Sequence, residues 1–212
     1  MKSIDYFALC FALAGTMCLV SKGYDNYQWN KNRNNVVESV KIDESYIVKS
    51  MQRQAKKKIA LAKIQRIKSI QSCKKDYSCK VMAQAIYFEA RGESKKGQIS
   101  VGQVILERTK RKGFPNTVYG VVHQKSSNGV CHFSYVCDIE SGRLSSYVLD
   151  GYSFNNALEY AAGVMAHQYP RYVGKADHYY NPKKVKEKPY WVSSMSVVGS
   201  VGSHLFLDSR IK

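Results

Sequence analysis

Acidic residues are scarce in this sequence. Its 212 residues include 16 aspartates and glutamates against 33 lysines and arginines, which gives a net charge of +17 at pH 7. Such an excess of positive charge favours polyanionic partners, among them nucleic acid, anionic lipid and bacterial wall polymers. Charge alone does not choose among these partners, but it makes each acidic residue of a compact region worth close attention.

The sequence also lacks a hydrophobic run of membrane-spanning length. The longest run, residues 6–20, has 15 residues, whereas a membrane helix needs about 20. The run follows Lys2 and is typical of a signal-peptide core. Because Asp5 weakens the basic start and no small-x-small cleavage site follows, residues 1–23 are predicted to be either a signal peptide or a signal anchor. Both deliver the chain across a membrane; a buried helix is the third interpretation.

Cysteine pairs at the C-x2-4-C spacing of zinc sites are missing as well. Two of the six cysteines lie within residues 1–23, and the other four form two C-x5-C pairs. In an exported chain they predict two disulfides, which we expect to join Cys131 to Cys137 and Cys73 to Cys79. Crossed pairings, a four-thiolate zinc site and, in a cytosolic chain, four free thiols stay open as alternatives. We expect no metal or other cofactor.

Residues 24–75 are predicted to be a basic linker, because residues 21–75 carry 14 basic and 4 acidic residues, a net charge of +10. Apolar residues recur at helical steps in its second part, which predicts an amphipathic helix over residues 49–72. The recurring residues are Ile59, Ala62, Ile67 and Ile70. The helix is either a solvated spacer or an attachment, through residues 49–75, to an anionic membrane or wall polymer. No aromatic residue is interleaved with its basic residues, so we expect no specific nucleic-acid partner.

Residues 76–212 are predicted to form one mainly α domain with minor β structure and long loops. Helices are predicted over residues 79–90, over residues 95–110 with Ser94 as the N-cap, over a short segment near residue 120, and from the cap Ser153 to Pro170. Residues 125–152 are polar and loop-like, and residues 171–207 are irregular with at most one short strand pair. Long loops in a compact domain tend to be functional.

Glu89 is unusually placed among the acidic residues of this domain. It falls on the same helical stripe as Met82, Ala85 and Ile86, and burial of a carboxyl group raises its pKa. A carboxyl group that stays protonated near neutral pH suits a general acid at a glycosidic oxygen. The alternative is a structural carboxylate paired with Arg91 or Arg108.

Several blocks of the domain resemble one known family. AIYFEARGES, then KKGQISVGQVILERTKRKGFPNTVYGVVHQ, CHFSYVCD, ADHYYNP, PYWVSSM and GSHLFL are similar, in order and spacing, to the SleB-type cell-wall hydrolases, which include spore-cortex-lytic enzymes and related bacterial and phage hydrolases. The resemblance extends from about residue 81 to residue 207. It implies a reduced lysozyme-like, lytic-transglycosylase-like domain whose partner is the peptidoglycan glycan strand. It also implies cleavage of the MurNAc–GlcNAc bond.

The resemblance assigns the catalytic glutamate of the EARGE block to Glu89. One carboxyl group then plays both roles, because it protonates the glycosidic oxygen and afterwards takes the proton of the sugar's C6 hydroxyl to close a 1,6-anhydro ring. Glu93, the second glutamate of the block, is expected to be structural, holding Arg91 or a helix N-terminus.

The remaining site expectations concern loop residues and aromatic rings. The family block reads Cys-Gln-Phe-Ser where this chain has His132, which alters the hydrogen-bonding capacity at that position. Ser134 and Tyr135 are expected to line the sugar groove. Tyr179, Tyr180 and Trp191 are expected either to stack on sugar faces or to pack in the core.

Other functions stay open on sequence alone. A zinc amidase needs three protein ligands and an open position, and the five histidines show no HExxH pair. A hydrolytic muramidase would use the same glutamate with water as the acceptor. A wall-binding or nucleic-acid-binding module rests on charge alone. We expect a monomer.

Overall fold

The computed structural model describes residues 44–145, 149 and 151–211. The chain divides into two units, residues 1–59 and 60–212. The first unit is described only by the beginning of helix α1 (Glu44–Lys75), and the second holds all the other elements. The predicted export segment, residues 1–23, and the first part of the predicted linker, residues 24–43, lie outside the described residues. Within the described ranges, no helix is long and apolar enough to cross a membrane.

The second unit is mainly helical with a small antiparallel sheet, which confirms the predicted fold class. The strand order is β1-β3-β2, so the structure has one strand more than the predicted pair. Its elements after α1 are α2 (Tyr77–Ala90), α3 (Lys95–Arg108), α4 (Val118–Val122), α5 (Ser134–Glu140), α6 (Gly151–Met165), β1 (His178–Tyr180), a 3-10 helix (Tyr190–Ser194), β2 (Ser196–Val201) and β3 (His204–Asp208).

Helix α1 contains the helix predicted over residues 49–72. Ile59 is 69% exposed and Ile67 is 46% exposed, which is compatible with both interpretations, a solvated spacer and a surface attachment. Ile70 packs against the core. Within the second unit, the Arg66 guanidinium donates to Glu159 at 2.7 Å, and this ion pair links the later part of α1 to α6.

The main core lies where α2, α3 and α6 meet. Met82 and Ile86 of α2 and Leu158 of α6 are fully buried there. Gly102 of α3 permits the close approach, because a Cβ at this position would lie 3.0 Å from Ile86 and 3.3 Å from Val164. As predicted, α3 begins at a Ser94 N-cap, whose hydroxyl accepts a hydrogen bond from the Gly97 amide at 3.3 Å.

A buried ionic cluster joins the end of α3 to the sheet. The Arg111 guanidinium contacts Asp177 at 2.7 Å, Asp208 at 2.8 Å and Glu107 at 3.2 Å. Asp177 also accepts a hydrogen bond from the Ser209 amide at 3.0 Å. We call these four charged residues the Arg111 cluster. Burial raises the pKa of Asp177, but hydrogen bonds from His178 and Ser209 outweigh it and lower that pKa, and hydrogen bonds from Arg210 and Arg111 lower the pKa of Asp208, so both carboxylates remain ionised.

Both predicted disulfides are present, Cys73–Cys79 and Cys131–Cys137. The first links the last turns of α1 to the start of α2. The second encloses the beginning of α5, a helix that lies inside the segment predicted to be a loop. The prediction of a loop is therefore wrong for these residues. Helix α5 has only seven residues and depends on long-range packing, which a local pattern does not show. The Tyr135 ring stacks on Phe88 of α2 at 4.6 Å.

The predicted ends of α6 are also wrong. The helix begins at Gly151, before the proposed cap Ser153, and ends at Met165, before Pro170. It ends in a Schellman motif, in which the Gln168 amide donates to Gly163 and the His167 amide donates to Val164. His167 adopts the left-handed conformation with φ 53°. Local hydrogen bonding therefore ends the helix before proline is reached.

Candidate active site

A cleft of about 680 Å³ lies at the C-terminal end of α2. Its walls come from that helix, from the segment around α5, from β1 with the turn that follows, and from single residues of α3 and β3. The cleft brings together most of the residues predicted for the site. Those that line it are Glu89, Arg91, His132, Ser134, Tyr135, Tyr179 and Tyr180.

Glu89 lies in the last turn of α2 and is partly buried. Burial raises the pKa of its carboxyl group, against the smaller opposing effects of a hydrogen bond from Tyr179 and of the positive charges of Arg108 and Lys184. The negative end of the helix dipole acts in the same direction as burial. None of the ion pairs among the described residues involves Glu89. The alternative of a carboxylate paired with Arg91 or Arg108 therefore does not hold in the structure.

Tyr179 supports Glu89 from β1. Its hydroxyl donates to Glu89 Oε2 at 3.2 Å. The ring packs between His204, at a centroid distance of 5.4 Å, and Phe206, at 5.8 Å. Burial raises the pKa of Tyr179 well above that of an ordinary tyrosine, so the phenol stays a hydrogen-bond donor. Its position favours support of Glu89 over stacking on a sugar.

The disulfide-closed segment supplies the facing wall. Ser134 is exposed at the start of α5, and the buried Tyr135 is held by its stacking on Phe88. His132 is exposed at the cleft, and partial burial together with the charge of Arg108 lowers the pKa of its imidazole. The histidine at the family's glutamine position is therefore neutral near pH 7.

Glu93 lies outside the cleft lining and fixes the turn between β2 and β3. It accepts hydrogen bonds from the Ser203 amide, at 3.1 Å, and from the Ser203 hydroxyl, and these bonds lower the pKa of its carboxyl group. A Cβ on Gly202, which has φ +62°, would collide with Glu93 Oε2. The partners that the structure gives Glu93 are thus Ser203 and, at 3.7 Å, His204. They are neither Arg91 nor a helix N-terminus.

Trp191 also lies outside the cleft lining. Its ring contacts His178 at 5.3 Å and Tyr180 at 5.8 Å. It is half-buried and packs against the strand that carries Tyr179. Of the three rings expected to stack on sugars, Tyr179 and Tyr180 line the cleft. Tyr179 donates its hydroxyl to Glu89, so Tyr180 is the better candidate for stacking.

Sequence reasoning missed several cleft residues. Arg108 was considered only as an ion-pair partner of Glu89. It follows Val101, Val104 and Ile105 on a buried stripe of α3, so the reasoning that singled out Glu89 could also have placed it at the site. The others carry no comparable local signal. They are Asp138, Asn181, Lys184 and His204.

The sequence profile described as Cell Wall Hydrolase matches residues 92–207. The chain belongs to this family. The match covers more than half of the sequence and begins three residues after Glu89, so the family assignment rests on the rest of the domain.

Individual relatives of this cell wall hydrolase domain are spore cortex-lytic enzymes. The enzyme of Bacillus cereus is 30% identical over 128 residues, which are 59% of this chain and 42% of the relative. That of Halalkalibacterium halodurans is 30% identical over 147 residues, which are 69% of this chain and 39% of the relative. The chain therefore spans about two fifths of the length of these relatives.

Two solved structures are similar to parts of the chain. The catalytic domain of the germination-specific lytic transglycosylase SleB from Bacillus anthracis has a TM-score of 0.46 and 27% identity, covering 62% of this chain and 93% of its own. The catalytic domain of the Bacillus cereus SleB protein has a TM-score of 0.47 and 29% identity, covering 62% and 89%.

Proposed function

We propose that the domain cleaves the MurNAc–GlcNAc bond of peptidoglycan as a lytic transglycosylase, with Glu89 as its acid and base. The observation that carries the proposal is a partly buried carboxyl group in a cleft, with a raised pKa and without an ion-pair partner among the described residues. Membership of the cell wall hydrolase family supports the substrate class.

Glu89 first donates its proton to the glycosidic oxygen as the C1–O bond breaks through an oxocarbenium-like state. The resulting carboxylate then accepts the proton of the C6 hydroxyl, whose oxygen bonds to C1 and closes the 1,6-anhydro ring. Glu89 ends the cycle protonated, as it began. Because the C6 hydroxyl takes the place of water, a second catalytic carboxylate is not required. Tyr179 orients the reacting group by donating to one of its carboxyl oxygens.

A hydrolytic muramidase is the second candidate, because one further carboxylate, Asp138, lines the cleft. Asp138 Oδ1 accepts hydrogen bonds from Arg143 at 2.6 and 3.1 Å, so this oxygen is engaged by a cation. This pairing favours the one-carboxylate mechanism over activation of water by Asp138.

The arrangement of potential zinc ligands gives less support to a zinc amidase. Among the described residues, one group of three potential ligands converges: Cys131, Cys137 and Glu140. Its two cysteines are joined in a disulfide and offer no thiolate to a metal ion.

We further propose that the domain acts outside the cytoplasm, after export directed by residues 1–23. The two disulfides support this location, since such bonds persist in oxidising compartments. The exposed lysines and arginines of α1 are suited to an anionic membrane or wall polymer.

Digestion of purified sacculi by the full chain tests the reaction. Mass spectrometry of the released fragments separates anhydro-muropeptides, reducing muropeptides and free stem peptides. We expect anhydro-muropeptides. Reducing muropeptides in their place would establish the muramidase, and free stem peptides would establish an amidase.

A further inference from the structure

The cleft carries positive charge that its own residues do not offset. Arg91, Arg108 and Lys184 line it, and none of the three is in an ion pair with a described carboxylate. Of the two carboxyl groups in the lining, Glu89 is held towards its neutral form and Asp138 is paired with Arg143, which lies outside the lining. A cleft lined by one sign of charge concentrates ligands of the opposite sign.

This charge is unfavourable for the proposed reaction unless the substrate brings an anion. The transition state of glycoside cleavage is oxocarbenium-like and therefore positively charged, and nearby cations raise its energy. N-acetylglucosamine is neutral. N-Acetylmuramic acid differs from it by a 3-O-lactyl substituent, which ends in a carboxyl group or continues into a peptide that carries carboxylates.

We propose that Arg91 and Lys184 form a carboxylate-binding edge of the cleft that takes the carboxylate borne on the lactyl substituent of muramic acid. The inference rests on the proposed function and deepens it, because it makes the acidic arm of the glycan a specificity determinant. The bound carboxylate also offsets the cations while positive charge develops on the sugar.

Arg91 is placed for this role by the end of α2. Its side chain is exposed, and its guanidinium lies over the Tyr87 ring at 5.0 Å. The stacking orients a planar group whose paired N–H donors match a carboxylate. Arg108 is the less suitable ligand, because it is buried and its Nε donates to the Asp177 carbonyl at 2.6 Å.

Lys184 is placed by a braced turn after β1. The Lys184 amide donates to the Asn181 carbonyl at 3.1 Å, and the Asn181 side-chain amide donates to the Ser203 hydroxyl at 2.9 Å. Ser203 in turn donates to Glu93. The exposed ammonium of Lys184 is thereby carried on a fixed backbone beside Glu89, whose pKa its charge lowers.

Calorimetric titration of the full-length Glu89→Gln protein tests the edge without turnover. The ligands are a GlcNAc–MurNAc tetrasaccharide with free lactyl carboxylates, the same glycan with stem peptides, and neutral chitotetraose. We expect the carboxylate-bearing glycans to bind about tenfold more tightly than chitotetraose, as charge-assisted hydrogen bonds require. Adding Arg91→Gln or Lys184→Gln should remove about three- to tenfold of that advantage and leave chitotetraose binding unchanged.

Lys112→Gln is the matched control, since Lys112 is exposed and does not line the cleft. Equal binding of the neutral and acidic glycans would overturn the edge, and so would an equal effect of Lys184→Gln on all three ligands. If the edge variants weaken only the peptide-bearing glycan, the bound carboxylate is in the peptide; if they weaken both acidic glycans, it is at the lactyl position or shared. Mass analysis of the recovered ligand separates the two claims, because cleavage by the Glu89→Gln protein would contradict the proposed function and not the edge.

Discussion

Adjacent residues of β1 contact two regions in which the pKa values of carboxyl groups are shifted in opposite directions. His178 contacts Asp177 at 2.9 Å in the Arg111 cluster, where carboxylates are paired and their pKa values are lowered. Tyr179 contacts Glu89 in the cleft, where the carboxyl group has no ion-pair partner within the described part of the chain and its pKa is raised. In a chain poor in acidic residues, a carboxyl group left unpaired beside a cleft marks chemistry, and paired carboxylates mark structure.

The largest expected effect comes from removing the cleft carboxyl group. Glu89→Gln should lower glycan cleavage by at least about 100-fold, because general acid–base catalysis contributes on the order of 10²–10⁴-fold. Release of soluble muropeptides measures the loss, and circular dichroism checks that the variant is folded. Glu93→Gln is the matched control, which should act mainly on stability through Ser203. A folded Glu89→Gln protein with more than a tenth of wild-type activity would remove the assignment.

A substitution in the Arg111 cluster should lower the stability of the protein, whereas Glu89→Gln should lower its activity. Asp177→Asn leaves Arg111 with an incomplete set of carboxylates, and breaking a buried pair costs about 3 kcal/mol of unfolding free energy. Denaturant unfolding measures this loss, and Glu89→Gln should cause no comparable one. Equal destabilisation by both variants would contradict the claim that the Arg111 cluster stabilises the fold and Glu89 does not.

The same contrast predicts how stability depends on pH. The pKa values of Asp177 and Asp208 are lowered in the folded state. Their contribution is therefore complete above the unfolded aspartate value of about 4 and is lost as the pH falls below it. The pKa of Glu89 is raised, so ionisation of this group opposes folding as the pH rises through its unfolded and then its folded value. Unfolding of Asp177→Asn should consequently depend less on pH below about 4 than unfolding of the wild type.

The two disulfides can be compared directly with each other, and removing either one should have a smaller effect. Both have a sequence separation of 6, so the chain-entropy model assigns each about 2 kcal/mol of stability. Replacing either cysteine pair by serine should lower the unfolding free energy equally. Only Cys131→Ser with Cys137→Ser should also lower activity at a temperature where both variants are folded, because that loop carries Ser134. Equal activity losses would show that the loop has no special role.

Tyr179→Phe should have the smallest effect on rate and an informative effect on pH dependence. We expect a loss of about tenfold, the equivalent of one hydrogen bond of about 1.4 kcal/mol. The Tyr179 hydrogen bond lowers the pKa of Glu89, so its removal should move the alkaline limb of the activity profile to higher pH. An unchanged limb would mean that Tyr179 does not hold the reacting carboxyl group.

The sequence predicted the parts of the molecule that depend on local pattern. The apolar periodicity of α2 and α3 identified those helices, and the same stripe exposed Glu89 as an anomaly. The two C-x5-C spacings led to the correct cysteine pairs. Apolar periodicity and cap residues, segment by segment, predicted that the domain would be mainly helical with long loops.

What was missed depends on contacts between distant positions. Helix α5 is fixed by stacking of Tyr135 on Phe88, and Glu93 acquires its function from Ser203, 110 residues away. Lys184 is one of many lysines until the Asn181 turn places it in the cleft. No local pattern contains these relations.

The most direct test of the account is to titrate the carboxyl groups of Glu89 and Glu93 in the same sample. Carboxyl ¹³C NMR of the full-length chain, with Glu89→Gln and Glu93→Gln used for assignment, reports both groups. We predict that Glu89 titrates above the ordinary glutamate value of about 4.3 and Glu93 below it. If Glu89 titrates at or below Glu93, the cleft does not hold a proton donor at Glu89, and the account is contradicted.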